Sequence, residues 1–248
     1  MLKVLILLAL ALPATSRRVS EFVVGGSNSN IAYHPHQMSL RVSGSHSCGA
    51  SLISATRAVC AAHCGGGSLS SYSLLAGSTD RTVTSCSTCL LGSPTSFVLH
   101  PNYVEDGNYG YPNDVSVLTF GSIPFNSNVQ TIPMATPSDG SYAGVNCVIS
   151  GWGKTSASSG LPLILQEGAM TVMTNAACEQ EWSAQQINDG HICLTAPTVS
   201  ACNGDSGGPL VCGGKLAGAT SWGISSCSPL YPSIYTRISY FYSWIISI

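Results

Sequence analysis

Gly204-Asp205-Ser206-Gly207-Gly208-Pro209 is a glycine-rich turn around a single serine, and the reading of the whole chain depends on what stands upstream of it. A serine hydroxyl is a weak nucleophile unless a base takes its proton, and that base needs an acid to fix its tautomer. Glycines, lacking β-carbons, let the loop adopt unusual dihedrals and aim backbone N–H groups at a developing oxyanion. Upstream, Asn113-Asp114-Val115-Ser116-Val117-Leu118 places an acid at the start of an apolar strand, where a buried carboxylate requires a partner. Further upstream, Ala61-Ala62-His63-Cys64 sets a histidine beside a cysteine whose crosslink would hold its backbone. Each segment alone has a bland reading. Six histidines are present, acids often begin strands, and Gly-x-Ser-x-Gly also fits the strained elbow of an α/β sheet. The order His, Asp, Ser and the β-rich surroundings argue against that elbow.

Around these segments the chain reads as all-β. Residues 37–42, 48–54, 115–120, 145–151, 216–221 and 233–236 are short runs bounded by Gly, Pro, Ser or Asn, the punctuation of a barrel or sandwich. Only the tail, 240–248, reads as helical, with Tyr240, Trp244 and Ile248 spaced to share a face. The Pro/Ser/Asn-rich stretch 121–140 is the candidate crossover between two halves. Charged residues make up only 8% of the 248, so Ser, Thr, Asn and Gly must supply most of the polar surface. The net charge of −2 provides neither the basic footprint of a nucleic-acid binder nor a basic membrane-surface patch.

Lys3 precedes an apolar run over 4–12, and small residues follow from Pro13 to Ser16. Residues 1–16 are therefore expected to be a signal peptide, too short to cross a bilayer. No later stretch is apolar and long enough to do so, so no membrane association is expected. A secretory route implies that most of the eleven cysteines pair.

The combined segments resemble the chymotrypsin family of serine peptidases. Val23-Val24-Gly25-Gly26 resembles the family's mature N-terminus. Ala61 to Cys64, Asn113 to Val115 and Gly204 to Pro209 resemble its His, Asp and Ser motifs. Ser150-Gly151-Trp152-Gly153, Ser221-Trp222-Gly223 and Ser243-Trp244-Ile245 are further landmarks, so the resemblance runs from Val23 onward. It implies two six-stranded antiparallel β-barrels, over 23–132 and 133–248, with the catalytic cleft between them and a C-terminal helix. It also implies a secreted, extracellular, monomeric endopeptidase without cofactor, acting on polypeptides, digestive in type, and subject to proteinaceous inhibitors. Ser206 is expected as nucleophile, His63 as general base then acid, and Asp114 as the group that orients His63. The N–H groups of Gly204 and Ser206 are the implied oxyanion hole, and Ser221 to Gly223 the strand that pairs with substrate.

The resemblance also implies disulfides Cys48–Cys64, Cys147–Cys212, Cys178–Cys193 and Cys202–Cys227. Cys60 is left as a small buried thiol. Cys86 and Cys89 form one Cys-x-x-Cys unit without a second to complete a zinc site, so a local disulfide is expected. Acids are too few near Asp80 for a calcium loop, and no metal is expected.

The implied specificity pocket has Ser200 at its base, with Asn203, Ser221, Trp222, Gly223, Ser233 and Trp182 around it. An uncharged base disfavours a Lys or Arg side chain. Phe, Tyr, Leu or Met is expected before the cut bond, with an elastase-like preference as the alternative, because the Ser233 hydroxymethyl narrows the pocket. A non-catalytic binding protein on the same scaffold is the alternative of another class. Residues 17–22 are the implied activation propeptide. Its removal frees the Val23 amine to pair with Asp205, which His46 and Ser39 hold beforehand. Phe22 at that junction points to activation by a chymotrypsin-like activity.

Overall fold

The computed structural model describes residues 23–183 and 185–248; the expected signal peptide (1–16) and propeptide (17–22) lie outside the described residues. The chain begins with β1 (Ser27–Asn28) and continues through β2 (Gln37–Val42), β3 (Ser45–Ser54), β4 (Arg57–Cys60), β5 (Tyr72–Ala76), β6 (Leu90–Gly92), β7 (Pro94–Leu99) and β8 (Ser116–Phe120). It then forms β9 (Asn146–Gly151), β10 (Gln166–Met173), helix α1 (Asn175–Glu181), β11 (His191–Thr195), β12 (Pro209–Cys212), β13 (Lys215–Trp222), β14 (Ser233–Arg237) and helix α2 (Ile238–Ser247). Local chemistry sets the hairpins. Ser43-Gly44 and Gly213-Gly214 all have positive φ, which gives the two-residue turns whose twist matches the antiparallel strands they join, β2 to β3 and β12 to β13.

Two antiparallel sheets result, and the all-β class with a terminal helix stands. In the second, the order is β1-β10-β11-β14-β13-β12-β9, and β9 pairs back onto β10. Six strands therefore close into a barrel with β1 attached outside. The first sheet differs from the expected second barrel. Its order is β6-β5-β2-β3-β4-β8-β7, a curled sheet whose hydrogen-bonded ladder stays open. Its two edges, β6 and β7, are consecutive in the chain and separated by Ser93 alone. One bent run thus pairs with β5 at one end and β8 at the other. Pro94, at the bend, has no N–H to offer a ladder.

Each sheet wraps its own apolar core, around Leu40, Leu52 and Leu118 in the first and Ile149, Leu194 and Leu210 in the second. A third cluster joins them: Val59, Val115 and Val117 pack with Leu216, Ala219 and the Ile238, Phe241 and Ile245 face of α2. The tail helix therefore forms, but on a different face. Tyr240 and Ile248 are exposed, because the stripe 238, 241, 245 meets the apolar seam between the sheets. A second departure is α1, two turns long and capped by Thr174, whose side chain accepts the Ala177 N–H at 3.2 Å. The halves come closest where a β-carbon on Gly49 would lie 2.7 Å from Gly208 Cα. There the Gly49 N–H donates to Ser206 O at 2.7 Å. Beside it, the buried Ser150 hydroxyl donates to Gln37 Oε1 at 2.7 Å.

Candidate active site

His63 sits in a single 3-10 turn, Ala62–Cys64, directly after β4, and the Cys48–Cys64 disulfide ties that turn to β3. Asp114 stands two residues before β8 and is 1% exposed. Burying its charge requires donors, and the fold supplies several. The His63 backbone N–H donates to Oδ1 at 2.9 Å, and Oδ2 lies 2.8 Å from His63 Nδ1. The Ser221 hydroxyl donates to Oδ2 at 2.5 Å. The Thr236 hydroxyl donates to the Asp114 carbonyl at 2.5 Å, fixing the backbone from β14. With Nδ1–H committed to the carboxylate, the neutral ring presents Nε2 as its free base. Burial pulls the His63 pKa down, but the hydrogen bond and charge of Asp114, with a smaller push from Glu105, outweigh it. The pKa therefore lies above the usual 6.5.

Ser206 occupies the turn before β12. Glycine is required on both sides of it. Gly204 has φ +101°, and a β-carbon there would lie 2.7 Å from Leu161 Cδ2 and 3.1 Å from Gly153 Cα. Gly207 has φ +73°, and a β-carbon there would meet the Cys60 thiol and come within 2.6 Å of Gly49 O. Cys60 itself is fully buried and donates to Gly49 O at 3.1 Å; burial pushes its thiol pKa up, so it stays protonated and unreactive. Among the described residues, neither the Gly204 nor the Ser206 N–H donates within the protein, which leaves both free for an incoming oxygen. His63 and Ser206 line one cleft of about 390 Å³. No hydrogen bond joins the Ser206 hydroxyl to the His63 ring in this structure, and contacts of this kind tighten when substrate binds.

Asp205 is buried, 3% exposed, and its oxygens accept the N–H groups of Gly153 at 2.8 Å and Cys202 at 3.0 Å. A β-carbon on Gly151 or Gly153 would overlap the carboxylate, so the Ser-Gly-Trp-Gly segment is shaped as its cradle. No basic side chain pairs with it among the described residues. Burial pushes its pKa up to about 6, while the two N–H donors hold it lower than burial alone would. Val23 is fully buried, and Val24 bridges to Ser200, whose N–H donates to Val24 O at 3.1 Å. His46 Nε2–H donates to Gly204 O at 2.9 Å and its Nδ1 accepts the Ser39 hydroxyl at 2.7 Å, so this pair holds the Gly204 carbonyl rather than the Asp205 carboxylate.

Of the pocket residues expected from the sequence, Asn203, Ser221, Trp222 and Gly223 line the cleft. Ser200 and Ser233 do not. Both are buried, with their hydroxyls 3.3 Å apart and Ser233 Oγ accepting the N–H of the cleft-lining Ala201 at 3.2 Å. Trp182 also stands back, its ring 4.9 Å from that of Trp222 and its Nε1–H donating to Pro232 O at 3.2 Å. The cleft adds residues that sequence reasoning missed, chiefly Glu105, Tyr111, Thr220 and Ile224. Tyr111 carried a faint signal as an aromatic just before Asp114; an acid in a polar loop, as at Glu105, carries none.

Cys48, His63 and Cys64 bring one nitrogen and two sulfurs close together, but the sulfurs are bonded to each other and offer no thiolate to a metal. Disulfides also join Cys147–Cys212, Cys178–Cys193, Cys202–Cys227 and Cys86–Cys89. No helix among the described residues is long and apolar enough to cross a membrane.

The model of the Trypsin family matches residues 23–245. A chymotrypsin-like serine proteinase of Haliotis rufescens is 44% identical over 235 residues, 92% of this chain and 91% of that protein. The fibrinolytic enzyme isozyme C of Lumbricus rubellus is 41% identical, covering 90% of this chain and 98% of its own. Trypsin alpha of Drosophila melanogaster is 37% identical over all of this chain and 98% of its own. Among solved structures, the human heparin binding protein aligns with a TM-score of 0.80 at 25% identity, over 91% of this chain and 96% of that one. One closed barrel and one curled sheet meeting at a buried Asp, its half-buried His partner and a glycine-flanked serine are thus accompanied by similarity along nearly the full chain. The chain belongs to the trypsin family of serine proteases.

Proposed function

We propose that the chain is a secreted endopeptidase that cuts peptide bonds through an acyl-enzyme on Ser206. His63 Nε2 takes the hydroxyl proton as Ser206 Oγ attacks the scissile carbonyl, and Asp114 stabilises the resulting imidazolium. The carbonyl oxygen becomes an oxyanion held by the N–H groups of Gly204 and Ser206. Collapse breaks the C–N bond, and His63 returns its proton to the leaving amine. Water then repeats the sequence on the ester and frees Ser206. The observation that carries this reading is the fully hydrogen-bonded Asp114–His63 pair opening onto the cleft that holds Ser206.

Activation follows from Asp205. A buried carboxylate with two N–H donors and, among the described residues, no basic partner is a receptor for the Val23 α-ammonium, which cleavage after Phe22 would create. Specificity follows from the charge-free surroundings of Ser200, which favour Phe, Tyr, Leu or Met before the cut bond. Ser233, whose hydroxyl accepts the N–H of the cleft-lining Ala201, supports an elastase-like preference as the second reading. The fold is shared with a protein named for heparin binding, and a fold alone does not decide function. A polyanion ligand is disfavoured here by the net charge of −2.

The test is covalent labelling by a fluorophosphonate after propeptide removal, followed by peptide-library profiling. A single adduct on Ser206, lost in Ser206→Ala and much reduced in His63→Ala, is expected. A folded, processed protein that takes no label sinks the proposal.

A further inference from the structure

The proposed reaction leaves Glu105 without a role, although among the described residues it is the only acid lining the cleft and no Lys or Arg lines it. The side chain is exposed and, among the described residues, forms no ion pair. Its neighbour Asp106, by contrast, is committed to its own loop, accepting the Asn108 N–H at 2.8 Å. Glu105 stands on the His63 side of the cleft with Tyr111, close enough for its charge to act on the imidazole. The cleft residues Ala201, Cys202, Gly223, Ile224, Ser225 and Cys227 come instead from loops of the second sheet and carry no charge.

Side chains of an extended peptide alternate between two directions. When the residue before the cut bond enters the uncharged pocket beside Gly223, the residue one further back points the other way, across His63 towards Tyr111 and Glu105. We propose that Glu105 selects a Lys or Arg as the second residue before the cut bond. This rests on the endopeptidase reading above. The same cation placed one residue later would enter a pocket with no partner for it, so the positive charge is favoured at one position and disfavoured at the next. As the one acid among the described lining residues, Glu105 also attracts cationic peptides as they approach.

The test uses the processed enzyme and fluorogenic peptides that share the first residue favoured by the library, with Arg, Ala or Glu as the second. The Arg peptide is expected to exceed the Ala peptide in kcat/KM by about two- to fivefold, the range of an exposed ion pair, with the Glu peptide below both. The ratio should fall towards one as NaCl is raised to about 0.5 M, where the screening length is only a few ångströms. Glu105→Gln should remove the ratio and Glu105→Lys should invert the order, with thermal melting checked for each variant. Equal cutting of all three peptides, or a ratio that survives Glu105→Gln, overturns this inference alone. Failure to cut any peptide overturns the endopeptidase reading with it.

Discussion

At the scale of single residues, the site is defined as much by absent side chains as by present ones. Gly204 combines φ +101° with contacts that leave no room for a β-carbon. The loop can aim two N–H groups at one point only because nothing projects from this residue. Gly204→Ala is therefore expected to reduce kcat by about 10²–10³, the cost of losing one oxyanion donor, while KM changes little. Steady-state kinetics on one peptide substrate check this, and a variant with unchanged kcat would remove Gly204 from the proposed oxyanion hole. The residues proposed to carry the chemistry were legible in the sequence because His63, Asp114 and Ser206 each sit in a short, distinctive segment. Their supports were not. Thr236, which holds the Asp114 carbonyl, is 122 residues away, and a hydroxyl in a strand carries no local mark of its partner. Trp182 and Ser233 were legible as pocket residues, yet their places outside the lining depend on packing that no spacing encodes.

At the scale of elements, strands 37–42 and 233–236 were readable because apolar runs bounded by Gly, Pro and Ser mark them, and both form. Helix α1 was not, since seven residues give barely two turns and too short a window for a helical period. The α2 stripe was misassigned by spacing because Tyr240 and Ile248 share the helix period with Trp244 but face away from the seam. Disulfides tie these elements, and loop length ranks them. Cys147–Cys212 joins β9 to β12 across 65 residues, whereas Cys86–Cys89 closes only three. By chain entropy the first contributes about 4 kcal/mol and the second about 1.5 kcal/mol. Replacing both cysteines of each pair with Ser should reproduce this order in denaturant midpoints, with activity kept in the Cys86/Cys89 double variant. A larger loss from the short loop would show that it supports structure beyond its own closure.

At the scale of the whole molecule, two sets of buried groups oppose each other as pH changes. Burial lowers the pKa of His36 to about 3 and those of His46 and His191 to about 4. These rings are neutral when folded, so their contribution is complete above about pH 6.5 and is lost as pH falls through those values. Asp205 has the opposite sign in the unprocessed chain. Its folded pKa of about 6 exceeds the ordinary aspartate value of 3.8, so its contribution is complete below about pH 4 and is lost as pH rises through 6. The difference of about two units corresponds to about 3 kcal/mol. If the Val23 ammonium pairs with Asp205 after processing, the charged form becomes the favoured one and this loss disappears. The histidines are common to both forms and cancel when the two are compared. Ser206→Ala protein, melted as precursor and after propeptide removal by added enzyme, should therefore show a Tm gap that widens from pH 4 to pH 7. At roughly 2–4 °C per kcal/mol, the gap should grow by about 6–12 °C in favour of the processed form. Two Tm curves that stay parallel across this range would mean that Asp205 keeps the same neighbours after processing, and the activation proposal would fail.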